Sequence, residues 1–68
     1  MNKFKERLKE LREEKSMGQA EIAEALNLPR ATYANWEQGR REPDIDGIIM
    51  LAQFFAVTVG QLLGVEPL

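Results

Sequence analysis

Hydrophobic residues recur along this chain at helical spacing, with polar residues filling the positions between them. Phe4, Leu8 and Leu11 form a stripe at spacings of four and three, which predicts a helix with one buried face. Lys5, Glu6, Lys9, Glu10, Glu13 and Glu14 fall mostly outside that stripe, as on a solvated face. Arg12 lies four residues after Leu8, on the stripe's edge, so it is expected to be partly buried and to need a partner. A second helix is expected from about Gln19 to Leu26, with Ile22, Ala23 and Leu26 inward and Gln19, Glu21 and Glu24 outward. Met17 and Ile22 flank Gly18 in the manner of a hydrophobic staple. Asn27 stands where this helix stops, because Asn tolerates the left-handed conformation.

The next start follows almost at once at Pro29, whose missing N–H is no loss at the opening of a helix. A third helix is expected over roughly Arg30 to Gln38, with Tyr33 and Trp36 on one face and Leu28 behind them. Gly39 fits the left-handed residue after its end, and "RREP" then reads as a loop. Asp44 caps a fourth helix whose inward stripe is Ile48, Leu51, Ala52 and Phe55. A fifth helix opens with the capping box Thr58–Gln61, with Val57 and Leu62 as its staple, and Gly64 closes it. The pattern predicts an all-α fold of five short helices. Helices two and three, joined by a tight turn with the small Ala23 on the first, suggest a helix-turn-helix.

Composition narrows the function. With 68 residues, 44% hydrophobic and 29% charged, the chain suits one small globular domain over positions 1–68. It has neither Cys nor His and no carboxylates gathered around a nucleophile, so no enzyme activity, metal or cofactor is expected. No run reaches the roughly 18 apolar residues of a membrane span, and the charged N-terminus is unlike a signal peptide. A cytoplasmic protein, with no membrane or small-molecule partner, is the expectation. The net charge of −2 argues mildly against a nucleic-acid partner, but its distribution argues otherwise. All nine Lys and Arg lie in residues 1–41, while residues 42–68 hold four acids and no base. One end of the molecule can face an anion and the other cannot.

The segments "LKELREE", "QAEIA", "WEQGRREP" and "VTVGQLLG" resemble those of the Cro and phage-repressor (Xre-like) helix-turn-helix family, from about Leu8 to Gly64. The resemblance implies a lambda-repressor-like DNA-binding domain whose third helix enters the major groove. By position it makes Arg30, Ala31, Thr32 and Asn35 the base readers. Their chemistry suits the task, since Arg grips guanine, Asn pairs with adenine, and the methyls of Ala and Thr meet that of thymine. It implies phosphate contacts from Gln19, Arg40 and Arg41, core positions for Tyr33 and Trp36, and a partly buried ion pair between Arg12 and Glu37.

Several positions depart from the family pattern. Gly18 and Pro29 stand where caps with side-chain oxygens are usual, and Asn27 where the turn often has Gly. Gly47 and Gly60 are expected to weaken helices four and five.

The function implied is that of a small transcriptional repressor, of phage or restriction–modification controller type. It would bind duplex DNA at a near-palindromic operator as a homodimer. The sequence offers Phe55 to Leu68 as the interface, because Val57, Val59, Leu62, Leu63, Val65 and Leu68 exceed what one short helix buries. The end of the chain soon after the fifth helix leads us to expect no separate sensor domain. The alternative is a protein-interaction module, such as an antitoxin or anti-repressor, whose acidic half meets a basic partner.

Overall fold

The computed structural model describes residues 2–68 as helices joined by short turns. The helices are α1 (Phe4–Glu14), α2 (Gln19–Ala25), α3 (Arg30–Gln38), α4 (Ile45–Phe55) and α5 (Val59–Leu62), with no strand among the described residues. The all-α expectation and all five elements hold. No described helix is long and apolar enough to cross a membrane.

The helix starts follow local chemistry. Asp44 accepts the Gly47 N–H at 2.8 Å, and Thr58 and Gln61 exchange two bonds of 2.9 Å as a complete capping box. Gly18 has no side chain to offer α2, yet the Glu21 carboxylate accepts the Gly18 N–H at 3.0 Å, half of such a box. Pro29 precedes α3 at φ −59°, and its carbonyl accepts from Thr32 at 3.1 Å.

The helix ends share one device. Ser16, Asn27, Gly39, Ala56 and Gly64, each just past a helix, are left-handed with φ between 55° and 77°. At each end the next N–H reaches back five residues to a carbonyl, as in Leu28 to Ala23 (2.8 Å), Arg40 to Asn35 (3.0 Å) and Val57 to Ala52 (3.0 Å). Asn27, Gly39 and Gly64 were expected in these places. Ser16 and Ala56 were not, since neither residue type favours this conformation.

Every helix contributes to the core. Phe4, Leu8 and Leu11 meet Ile22, Ala23, Tyr33, Trp36, Leu51, Ala52, Phe55 and Leu62. Tyr33 and Trp36 pack edge to face at 6.4 Å between ring centroids. Gly47 does more than weaken α4, because a Cβ there would sit 2.8 Å from that of Pro43. The missing side chain lets the preceding loop fold onto the first turn.

The C-terminal stretch corrects one expectation. Leu62 is fully buried, and Val57 and Leu63 pack against the core, so these close the domain itself. Only Val59, Val65 and Leu68 of the proposed surplus are exposed. Ile45 and Ile49, which lie outside the inward stripe of Ile48, Leu51, Ala52 and Phe55, are exposed, at 78% and 43%. The two ends of the chain are bound together. The Lys3 N–H donates to the Leu63 carbonyl at 3.0 Å, and the Arg7 guanidinium donates to the carbonyls of Gln61 and Glu66.

Ala56→Gly should stabilise the fold by about 0.5–1 kcal/mol, because relief of left-handed strain exceeds the added freedom of the unfolded chain. Gly64→Ala should do the opposite. It adds strain at φ 75° and a Cβ only 2.7 Å from that of Lys3. Thermal unfolding of both variants checks this, and equal melting temperatures would refute the account.

Candidate nucleic-acid interface

α3 has two faces. Tyr33 and Trp36 are buried on one, with Tyr33 fully inaccessible. On the other, Arg30 and Ala31 are exposed and Thr32 and Asn35 half-buried. The face is held out by the turn before it. Asn27, at φ 58°, reverses the chain, and the Leu28 N–H closes back onto Ala23. Ala23 is itself buried, and its small side chain permits the close approach of α2 and α3.

Arg40 and Arg41 are both exposed, in the loop that follows Gly39. Their N–H groups donate to the Asn35 carbonyl at 3.0 and 3.4 Å. The arginine loop is therefore tied to the last turn of the helix that carries the proposed base readers. Among the described residues neither arginine is paired with a carboxylate, and Arg30 likewise has none.

A partly buried ion pair ties α3 to α1. Arg12 on α1 donates from Nε to Glu37 Oε2 at 2.6 Å and from Nη2 to Oε1 at 3.2 Å. Its Nη1 donates to the Met17 carbonyl at 2.8 Å. The side chains are 13% and 3% exposed, so both charges lie in a medium that favours pairing. This is the partner that Arg12 was expected to need. Gln19 joins them from α2, its Nε2 donating to Glu37 Oε1 at 3.2 Å. The family resemblance implies a phosphate contact for Gln19 and carries no signal for this inward bond, made from a half-buried side chain at the start of α2.

The electrostatics follow from that geometry. Burial alone would raise the Glu37 carboxyl, but the hydrogen bonds from Arg12 and Gln19 hold it below the usual carboxylate range. The Glu37 hydrogen bond raises the Arg12 guanidinium against the opposing effect of burial. The Tyr33 hydroxyl is buried with no hydrogen-bond partner of good geometry. Burial first, then the neighbouring carboxylate, push its ionisation far above that of an ordinary phenol.

A sequence model described as helix-turn-helix matches residues 8–62. Among curated proteins, the HTH-type transcriptional activator BcrR of Enterococcus faecalis is 35% identical over 65 residues, covering 96% of this chain and 32% of its own. The regulator AnsR of Bacillus subtilis is 39% identical over 61 residues, covering 90% of this chain and 53% of its own. The cryptic phage CTXphi repressor RstR of Vibrio cholerae is 28% identical over 60 residues, covering 88% of this chain and 54% of its own. The chain thus spans between 32% and 54% of the length of these relatives. A crystal structure of a transcriptional regulator from Listeria innocua superposes with a TM-score of 0.86 at 34% identity, over 94% of this chain and 60% of that one.

Arg12→Ala should cost about 1–3 kcal/mol, because it leaves the partly buried Glu37 charge with only the Gln19 amide as a donor. Acid should act on the same pair. The folded carboxyl lies below its unfolded value, so its stabilisation is present at neutral pH and vanishes as pH falls through the folded value. Glu37→Gln should flatten that acid limb in unfolding curves measured between neutral and strongly acidic pH. An unchanged limb would show that other carboxylates govern it.

Proposed function

Because this chain belongs to the helix-turn-helix family, we propose that it binds duplex DNA sequence-specifically and regulates transcription by occupying an operator. One observation carries this reading. α3 buries Tyr33 and Trp36, presents Arg30, Ala31, Thr32 and Asn35 outward, and is clamped to α1 and α2 through Glu37. A rigid helix with its polar, hydrogen-bonding edge turned out is what major-groove reading requires.

In this reading Arg30 and Asn35 take base edges, and the methyls of Ala31 and Thr32 contact thymine. Arg40 and Arg41 neutralise phosphates, fixing the register of the helix in the groove without carrying sequence information. Gln19 has a double part. One amide hydrogen holds Glu37, and the other is free to meet a phosphate. The protein works by binding, with no catalytic step.

One such unit makes few base contacts, and a two-fold pair doubles them. Within the proposed interface, Phe55 to Leu68, the exposed apolar residues that would supply the contact are Val59, Val65 and Leu68. Pairing through the C-terminal part sets the reading helices about 34–36 Å apart, so the operator is a near-palindrome with half-sites about 10 base pairs apart. A second reading, a protein-interaction module, draws on exposed Ile45 and Ile49 beside the acids Asp44 and Asp46. Binding that ignores duplex DNA would favour it, whereas steeply salt-dependent binding to DNA would favour the first reading.

Selection of bound duplexes from a random pool tests the reading helix. Arg30→Ala and Asn35→Ala should each relax choice at one base pair, a discrimination of about 1–3 kcal/mol. Unaltered base preferences in both variants would defeat the assignment. Sedimentation with a single selected duplex tests the dimer, where two chains per duplex are expected. One chain on an asymmetric site would rule it out.

A further inference from the structure

Lys5 lies outside the apolar stripe of α1, remote in sequence from the helix-turn-helix. Its side chain lies across the backbone at Gly39. A Cβ built on Gly39 would sit 2.9 Å from Lys5 Cδ and 3.6 Å from Nζ. Gly39 opens the loop that carries Arg40 and Arg41. The left-handed glycine therefore serves a second end: it stops α3 and leaves a bare backbone on which the lysine stem can rest.

Lys5 is exposed, and among the described residues it pairs with no carboxylate. Three of the other cations are occupied, Arg7 on Glu10, Arg12 on Glu37, and Lys15 above the Phe54 ring at 5.2 Å. Lys3 and Lys9, on the same end of the chain, pair with no carboxylate among the described residues either, so it is the place of Lys5 against Gly39 that sets it apart. Lys5 shares one open cleft with Arg41, walled by Phe4 and Trp36 and also lined by Glu6 and Glu42. Those two acids oppose the two cations, so the argument rests on position, not on net charge. The stem lies along Gly39 in an otherwise exposed residue, and a stem held against backbone loses less ordering entropy when its ammonium grips an anion.

Accepting the proposed DNA-binding function, we propose that Lys5 is a further phosphate-binding residue, extending the backbone contact of Arg40 and Arg41 onto α1. Phosphates recur along each strand about every 3.4 Å of helix axis, so cations set side by side can engage successive ones. The contact would be blind to sequence. It would add affinity and fix the angle at which the domain sits on the duplex.

The salt dependence of binding to a short duplex of mixed sequence tests this, followed by fluorescence anisotropy with the whole chain. Lys5→Gln keeps most of the packed stem and removes the charge. It should flatten the slope of log Kd against log salt by about 0.9, the share of one phosphate. Its melting temperature should match that of the unaltered protein. Lys9→Gln, one turn along the same helix, removes an equal charge that does not touch Gly39 and should leave the slope unchanged. If Lys9→Gln flattens it as much as Lys5→Gln, the effect is general net charge and the inference fails. If Arg40→Ala flattens the slope and Lys5→Gln does not, the inference alone fails. If neither does, the phosphate-binding role of the loop falls with it.

Discussion

The pairing of Arg12 with Glu37 is the interaction on which the reading surface depends. It joins the first helix to the third through two hydrogen bonds, and Gln19 brings in the second helix at the same carboxylate. Two charges taken out of water are stable only when their geometry is good and their remaining donors are satisfied. Here the fork of Arg12 is used on three sides, including the Met17 carbonyl. Apolar packing alone tolerates small rotations of a helix. A bidentate pair resists them more, and rotation of α3 would displace Arg30 and Asn35, the proposed base readers, together.

Much of this was legible in the sequence, and for physical reasons. The Phe4–Leu8–Leu11 stripe and the caps at Asp44 and Thr58 are local patterns, decided by residues within a turn or two. The need of Arg12 for a partner followed from its place on an apolar edge, while the partner's identity came through the family resemblance. What stayed hidden depends on distant chain segments or on backbone groups that every residue carries. Arg7 donates to carbonyls 54 and 59 residues away, and no side chain marks them. The inward bond of Gln19 is of the same kind, since an amide facing solvent and one facing a buried carboxylate look alike in sequence.

The left-handed stops show a different limit. Asn27, Gly39 and Gly64 advertise the conformation, but Ser16 and Ala56 adopt it against their own preference. They do so because the helices on either side are held by core residues, and the turn must close the gap. Tertiary packing overrides local propensity at these two points. The same packing drew Leu62 and Leu63 inward, so apolar content alone misjudged how much of the C-terminal stretch remains at the surface.

The bond between Lys3 and Leu63, with Gly64 against the Lys3 backbone, brings the two ends of the fold together. Helix order along the polypeptide is then separable from helix position in space. A short linker from the tail to the head, with a new opening cut in the exposed loop at Arg41–Glu42, would give a circular permutant running α4, α5, α1, α2, α3. The contacts between α2 and α3 would remain local in such a chain, as would the turn that joins them. The permutant would keep the geometry of the reading helix while changing which loop must close last, separating the architecture of recognition from the route by which it is assembled.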